Sequence, residues 1–329
     1  MPELVNMGPV GPDTARFQIA DLASPCEQRC QFCPRSFDVR RPEPGAGDLV
    51  PRVRRHFVAF LQRYPHRDVV MLSADILRWP DLMGLLDLAH DRRVTLLTPG
   101  LRLADPEVAA SFAGRDVRFD LTWLADDPET WARMTGRADA WERMHAAIDN
   151  LRRLGLPYRL STVLNATNVH TLPAIIARCV ALGARHVTAR FFWPDQVTSR
   201  TAYYDQFPSF AQLQAALDAL PTDAAAPTIE LTNVPWCQVT LPEGSTAFLR
   251  PGRAVHNTHT AEGLAACATC EQAHACVRVH PEMERRRPIL EVDPERVARY
   301  VAHSRDVLDA ARLAAGGPQT QGWIVPTPP

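Results

Sequence analysis

Hydrophobic positions along the first two thirds of the chain follow two alternating patterns. Short apolar runs typical of buried strands are separated by longer stretches in which apolar residues recur at helical spacing. The predicted strands cover residues 16–22, 68–72, 94–97, 117–121, 158–164 and 186–191. The predicted helices begin near residue 49 and after Pro80, cover 140–154, and run from an Asn168 N-cap to Gly183. Six such units predict an α/β fold with parallel strands and right-handed crossovers.

The pattern loosens beyond the sixth predicted strand. Prolines interrupt it, and residues 222–227 have the composition of a linker. We therefore predict two domains, an α/β core over 14–220 and a smaller region over 221–329, which contains a strand at 228–231, a helix over 294–313 and a flexible tail. Periodicity leaves open whether the core is an open sheet, a full barrel or a partial barrel.

Charge and composition exclude several classes of function. The chain has 36 basic residues, all of them arginine, and 37 acidic residues, for a formal net charge of −1. Without lysine, Schiff-base and lysine general-base mechanisms are excluded. The near-neutral charge and scattered arginines disfavour nucleic-acid binding. Because no long apolar run and no export signal stand in the sequence, we expect a soluble cytoplasmic protein that does not bind membranes.

Eight cysteines without an export signal favour metal or redox chemistry over a disulfide framework. The first group, Cys26-x3-Cys30-x2-Cys33, follows a predicted strand and places three thiolates on one short loop. Three thiolates at this spacing suit three irons of a cubane cluster and leave the fourth iron open to a substrate or cofactor. Zinc is the weaker alternative, because it usually takes four nitrogen or sulfur ligands and the nearest histidine, His56, is distant in sequence.

With Phe32 before its last cysteine, this loop resembles the signature of the radical S-adenosylmethionine (SAM) superfamily. The resemblance extends over about residues 16–194. It implies a partial (β/α)6 TIM-like barrel in which a [4Fe–4S] cluster on Cys26, Cys30 and Cys33 binds SAM and cleaves it reductively to a 5′-deoxyadenosyl radical. It also implies a reducing partner such as flavodoxin or ferredoxin.

The same resemblance implies a set of SAM-contact residues near the carboxyl ends of the strands. Ser73, Ala74 and Asp75 stand where the family usually has two glycines and a glutamate that contact the SAM amino group. Thr122 matches a position that is often serine, whereas Leu124 falls where aspartate is common. The full set of candidate SAM-contact residues is Phe32, Ser73, Ala74, Asp75, Thr122, Ser161, Asn165 and Arg190.

Three of these candidates have a structural alternative. Ser161 and Asn165 could instead face solvent or cap the helix that follows, as isolated polar residues near strand ends usually do. Arg190 could meet a SAM carboxylate or form an ion pair within the barrel wall. No catalytic residue is assigned from the sequence.

A second cysteine group lies in the C-terminal region. Cys267-x2-Cys270-x5-Cys276, with Cys237 upstream, supplies four thiolates, enough to close a [4Fe–4S] cluster. The spacing resembles the twitch form of the SPASM and twitch auxiliary-cluster regions of radical SAM enzymes. Zinc is the alternative, because four histidines lie among these cysteines, namely His256, His259, His274 and His280. Cys179, on the apolar face of a predicted helix, is read as a core residue.

The leading functional hypothesis is hydrogen abstraction from a peptide or small natural product, leading to oxidation, crosslinking or rearrangement. A peptide is favoured, but only 25 residues precede Cys26, so we expect either a separate peptide-recognition partner protein or a small-molecule substrate. The second hypothesis is a non-catalytic iron–sulfur or zinc protein on a degenerate radical SAM barrel, motivated by Ser73-Ala74-Asp75 and Leu124. The third, RNA modification, is disfavoured by the near-neutral charge.

Overall fold

The computed structural model describes residues 5–9, 13–19, 26–33, 46–192, 205–222 and 226–249, with residues 267, 270, 276, 302, 324 and 326. The strands are β1 (Val5–Pro9), β2 (Thr14–Ile19), β3 (Asp68–Leu72), β4 (Val94–Thr98), β5 (Val117–Thr122), β6 (Tyr158–Leu164), β7 (His186–Phe191), β8 (Thr228–Thr232) and β9 (Ala247–Leu249). The α-helices are α1 (Ala46–Arg63), α2 (Leu82–Leu88), α3 (Pro106–Ala110), α4 (Pro128–Thr135), α5 (Ala140–Arg153), α6 (Leu172–Ala181) and α7 (Phe210–Asp218).

These elements confirm the predicted α/β class. The strands predicted at 68–72, 158–164 and 186–191 have the observed bounds of β3, β6 and β7. The apolar pattern did not predict β1, β9, α3, α4 or α7. Each of these elements has nine residues or fewer, which is too short for a clear period. The helix predicted over 294–313 and the C-terminal tail lie outside the described residues, apart from a few single positions.

The chain forms two compact units. The first comprises Met1–Thr122, Thr135–Arg159 and Val325–Pro329. In it, β1 pairs antiparallel with β2, and β2, β3, β4 and β5 follow in parallel register. Phe17 of β2 packs on Phe57 and Phe60 of α1, at ring-centroid distances of 4.7 and 5.3 Å. This apolar face fixes α1 against the strands and leaves the opposite face of the strands for polar residues.

The second unit comprises Trp123–Met134 and Leu160–Ile324. Its strands β6, β7, β8 and β9 pair in parallel. One face is apolar, and Phe191 of β7 stacks on Phe210 of α7 at 5.5 Å. A capping box between Ser209 and Gln212 starts α7. The domain boundary predicted at residue 220 falls inside this unit, between α7 and β8, and the two-domain division remains a prediction.

The predicted role of Asn168 as a helix N-cap is wrong. Helix α6 begins at Leu172, and Asn168 precedes a 3₁₀ turn (Val169–Thr171) without any capping hydrogen bond from its side chain. Its buried amide instead accepts from the Asn165 backbone N–H at 2.8 Å and donates to the carbonyls of Leu124 and Val163 at 2.8 and 2.9 Å. Buried backbone groups need partners, and the Asn168 side chain supplies them at the end of β6.

None of the helices in the described residues is long and apolar enough to span a lipid bilayer.

Candidate active site

The first cysteine group lies on the described loop 26–33 of the first unit. A tight turn brings the Cys33 N–H to the Cys30 carbonyl at 3.0 Å. The Gln28 N–H donates to Cys26 Sγ at 3.4 Å, and Cys30 Sγ donates to Gln28 Oε1 at 3.5 Å. All three cysteines are free thiols. One short loop therefore presents three thiol groups and folds their backbone into a turn.

Burial and mutual charge govern the acidity of these thiols. Burial, followed by the charge of Asp75, raises the pKa of Cys26 to about 12. Burial, followed by the charges of Cys33 and Cys26, raises the pKa of Cys30 well above its ordinary value. The three sulfur atoms are therefore close enough to repel one another as thiolates, and cationic iron would relieve this repulsion. Phe32, the aromatic of the motif, is buried beside them in the chain, with 9% of its surface exposed.

The loop is hydrogen-bonded to Thr135, the last residue of α4. The Arg29 N–H donates to the Thr135 carbonyl at 2.7 Å. Gly136 comes next, at a φ of +66°, and a Cβ built on it would stand 3.3 Å from Arg29 Cβ. Glycine allows this backbone conformation and this close approach together.

Asp75 lies close to the first cysteine, as its effect on the Cys26 pKa indicates. Its side chain is buried, and Oδ1 accepts from Thr98 Oγ1 at 2.8 Å and from the Leu77 N–H at 3.2 Å. The second bond caps the 3₁₀ turn Ile76–Arg78. Burial raises the pKa of the Asp75 carboxyl above its ordinary value. A carboxylate one methylene shorter than glutamate is thus held by local contacts at the end of β3.

The two residues before Asp75, Ser73 and Ala74, make no such side-chain hydrogen bonds within the described residues. Ser73 follows β3 directly, and its Oγ is buried without a hydrogen-bond partner within the described residues. Ala74 is half-buried and supplies only backbone groups. A buried hydroxyl without a partner costs free energy, which a polar ligand group would recover.

We expect Asp75→Ala to lower the free energy of unfolding of the apoprotein by about 2 kcal/mol, because it removes both a cap and a buried hydrogen bond. The matched control is Asp105→Ala, which removes an exposed cap that accepts from the Glu107 N–H at 2.9 Å. For the control we expect about 1 kcal/mol. Denaturant unfolding under anaerobic conditions measures both. Equal losses of unfolding free energy in the two variants would show that the hydrogen bond from Thr98 does not contribute to stability.

Ser161 and Arg190 are brought together in the second unit. Arg190 NH1 donates to Ser161 Oγ at 2.6 Å. Ser161 and Asn165 both have 0% exposure, which excludes the solvent-facing alternative for them. Asn165 Oδ1 accepts from the Thr167 N–H at 2.8 Å, while its Nδ2 is buried without a partner within the described residues. Among the SAM-contact candidates, Asn165 Nδ2 is therefore a second buried polar atom, after Ser73 Oγ, without a hydrogen-bond partner within the described residues.

The remaining SAM-contact candidate, Thr122, and the departure from the family pattern at Leu124 lie two residues apart in the chain. Thr122 ends β5 in the first unit and is half-buried. Leu124 is 1% exposed, and its carbonyl accepts from Asn168 Nδ2. The candidates thus divide between the units, with Ser161, Asn165 and Arg190 in the second and the others in the first.

Sequence reasoning missed two polar clusters on the strands. In the second unit, Glu230 Oε2 lies 3.0 Å from His186 Nε2 and accepts from Thr188 Oγ1 at 3.3 Å. In the first unit, the buried Asp120 carboxylate accepts from the Arg159 guanidinium at 2.6 and 3.0 Å. The sequence did contain a signal for these clusters, because polar residues occupy alternate positions of β5, β7 and β8. Alternation indicates a polar face but does not say which strands face each other.

The second cysteine group gathers in the second unit. Cys237 lies in the 3₁₀ turn Trp236–Gln238 after β8, where Gln238 Nε2 donates to its Sγ at 3.1 Å. The Trp236 N–H donates to Cys276 Sγ at 3.4 Å. Burial, followed by the charges of Cys237, Cys267 and Cys270, raises the pKa of Cys276 to about 12. Cys237, Cys267 and Cys270 therefore all lie within electrostatic range of Cys276.

The four histidines of the zinc alternative, His256, His259, His274 and His280, lie outside the described residues. Cys179 is fully buried in α6, as predicted, and burial raises its pKa. Among the described residues, no three His, Cys, Asp or Glu side chains surround a point suited to one metal ion. In a cubane cluster each thiolate instead binds its own iron.

Residues 24–179 match the family model described as the Radical SAM superfamily. The matched segment contains the first cysteine loop and extends to α6. A radical SAM domain carries a [4Fe–4S] cluster and binds SAM, so these are the cofactors that the match implies. The C-terminal cysteines lie beyond it.

Known proteins resemble parts of this chain. The AdoMet-dependent heme synthase of Methanosarcina barkeri (strain Fusaro / DSM 804) is 24% identical over 167 residues, which is 50% of this chain and 47% of the relative. The structure of anSMEcpe with bound AdoMet and the Kp18Cys peptide has a TM-score of 0.50 and 11% identity, over 64% of this chain and 59% of that one. Streptococcus suis SuiB bound to S-adenosylmethionine has a TM-score of 0.46 and 16% identity, over 63% and 46%.

The chain spans about half the length of the curated relative that it matches. The likeness to anSMEcpe concerns the fold alone, and it agrees with the partial barrel that the family resemblance implied.

Proposed function

We propose that this chain is a radical SAM enzyme in which Cys26, Cys30 and Cys33 hold a [4Fe–4S] cluster. The observation that carries the proposal is the loop of three free thiols, folded into one turn, inside the segment that matches the Radical SAM superfamily. The loop offers three protein ligands to a cubane, which leaves the fourth iron for SAM.

Several of the candidate SAM-contact residues carry polar groups that suit the chemistry of SAM. Ser73 Oγ and Asn165 Nδ2 are buried and have no hydrogen-bond partner within the described residues, and SAM carries an amino group, a carboxylate and ribose hydroxyls. The buried Asp75 carboxylate stands near Cys26, where a cationic amino group would offset its charge. In this proposal Arg190, oriented by Ser161, binds a carboxylate, and Phe32 and Thr122 line the cofactor.

When bound, the cluster supplies one electron that splits SAM into methionine and a 5′-deoxyadenosyl radical. A radical of this kind would take a hydrogen atom from a C–H bond of the substrate and leave 5′-deoxyadenosine and a substrate radical. The contribution of the chain's own residues is to hold SAM in one orientation and to exclude water from the radical.

For the second cysteine group we propose an auxiliary [4Fe–4S] cluster on Cys237, Cys267, Cys270 and Cys276. Three cysteines within electrostatic range of Cys276 bring the group to four thiols, the number that a fully ligated cubane needs. Such a cluster could accept an electron from the substrate radical and so complete an oxidation or a crosslink. Zinc on the same cysteines is the alternative outcome of the metal analysis.

For the substrate we propose a peptide or a small natural product that undergoes oxidation, crosslinking or rearrangement. A peptide is favoured because anSMEcpe, which shares the fold, is described with a bound peptide. A peptide-recognition partner protein and a flavodoxin or ferredoxin reductant complete the proposal.

Anaerobic reconstitution with iron and sulfide tests the function. We expect about eight irons per chain, four for each cluster, and 5′-deoxyadenosine release from SAM when dithionite is added. About four irons with bound zinc would favour zinc at the C-terminal cysteines. A complete first cluster that releases no 5′-deoxyadenosine would contradict the enzyme proposal and favour the degenerate, non-catalytic barrel.

A further inference from the structure

Glu27 lies between the first two cysteines of the loop and is tied to helix α5. Its two carboxylate oxygens accept from Arg143 NH1 and NH2 at 2.9 and 3.0 Å, a bidentate pair. Arg137 NH1 approaches Glu27 Oε2 at 3.4 Å from the turn before α5. Only 16% of the Glu27 side chain is exposed, against 27% of Arg143. Bidentate geometry and partial burial set this pair apart from an exposed surface ion pair.

Arg143 is itself fixed to a rigid part of the first unit. Its NH2 also donates to the Leu101 carbonyl at 3.1 Å. Helix α5 is held to the same 3₁₀ turn (Leu101–Ala104) by Asn150 Nδ2, which donates to the carbonyls of Leu103 and Ala104 at 2.9 and 3.0 Å. The guanidinium that receives Glu27 therefore has its position set by two independent attachments.

The two attachments of the loop lie two residues apart. Glu27 is held through its side chain by Arg143, and Arg29 is held through its backbone N–H by Thr135. Cys26 and Cys30 are the residues that immediately flank this pair of attachments. A shift of the loop at residue 27 or 29 would therefore move two of the three thiols.

We propose that Glu27 is a positioning residue for the first iron–sulfur cluster. Its ion pair with Arg143 fixes the cysteine loop on the segment over 135–143 and so sets where the thiolates of Cys26 and Cys30 meet iron. Ion pairs and hydrogen bonds that act behind a metal ligand orient that ligand and alter metal affinity or activity. This inference rests on the proposed function, because it assumes a cluster on the loop.

Hydrogen–deuterium exchange of the apoprotein tests the attachment without any cofactor. In Glu27→Gln and in Arg143→Gln, we expect the amides of loop 26–33, including that of Arg29, to exchange about tenfold faster than in the wild type. The matched control is Glu142→Gln, which makes the same chemical change at an exposed residue next to Arg143 in α5. In the double variant Glu27→Gln/Arg143→Gln the two effects on exchange should be less than additive, because each substitution removes the ion pair that these two residues share.

The reconstituted protein supplies the second readout. We expect Glu27→Gln to alter the electron paramagnetic resonance spectrum of the reduced cluster and to slow 5′-deoxyadenosine release by about ten- to a hundredfold. Arg143→Lys keeps the positive charge but offers a single contact to Glu27. Its cluster spectrum and its rate of 5′-deoxyadenosine release should therefore lie closer to those of the wild type than the values for Arg143→Gln. Wild-type exchange and an unchanged spectrum in Glu27→Gln would overturn the inference. Failure of the wild type to assemble a cluster would instead overturn the proposed function, and the exchange result would still report on the attachment.

Discussion

Replacement of Cys30 by alanine is expected to abolish 5′-deoxyadenosine release and to remove about four of about eight irons per chain. Cys30 is the central thiol of the loop, and its neighbours Cys26 and Cys33 both contribute to its raised pKa. Two remaining thiolates cannot hold three irons of a cubane, so the open iron that would bind SAM is lost with the cluster. Iron analysis and chromatography of the SAM products after anaerobic reconstitution measure both effects.

The matched control for this experiment is Cys179→Ala. Cys179 is fully buried in α6, away from both cysteine groups in the chain, so the substitution removes a thiol without touching either. We expect it to lower the free energy of unfolding by about 1 kcal/mol while leaving iron content and 5′-deoxyadenosine release unchanged. Normal 5′-deoxyadenosine release by Cys30→Ala would contradict the assignment of the first cluster.

Replacement of Cys276 by alanine is expected to remove the metal of the second site while SAM cleavage continues. Cys276 accepts from the Trp236 N–H, and the other three thiols of the group raise its pKa. Without its thiolate, the group retains three ligands, and unlike the first site it has no SAM to bind the fourth iron, so the cluster is expected to be lost. We expect the loss of about four irons, or of one zinc if zinc is the occupant, with 5′-deoxyadenosine release retained.

Comparison of the variants separates the two sites. Cys276→Ala with full wild-type metal content would contradict a second metal site on these cysteines. Loss of all iron in Cys276→Ala would mean that the first cluster depends on the second group, which the proposal does not predict. Once a substrate is found, formation of the oxidised or crosslinked product should require Cys276, because the electron of the substrate radical needs an acceptor.

The sequence predicted the strands well where their apolar runs were bounded by turn residues. The strand at 68–72 stands between the Pro65-His66 turn and Ser73, and its observed bounds are the predicted ones. Short elements such as β9, with three residues, gave no periodic signal. Asn168 was misread because its sequence context, before an apolar helical pattern, resembles that of a cap, whereas carbonyls distant in sequence compete for its amide.

The site residues also divide into those that local spacing predicts and those that only packing brings together. The sequence by itself determined what eight consecutive residues can specify, namely that Cys26, Cys30 and Cys33 share one loop, because the cysteine spacing is local. It also determined the α/β class, since the rhythm of strands and helices is written along the chain.

Only the tertiary structure decided which distant side chains meet. Glu27 and Arg143 are 116 positions apart, Asp120 and Arg159 are 39 apart, and Arg190 and Ser161 are 29 apart. A strand pattern states that alternate residues share a face, but pairing register decides which residue of another strand lies opposite. The charges that surround the cysteine loop and the polar faces of the strands therefore depend on packing, which no local pattern contains.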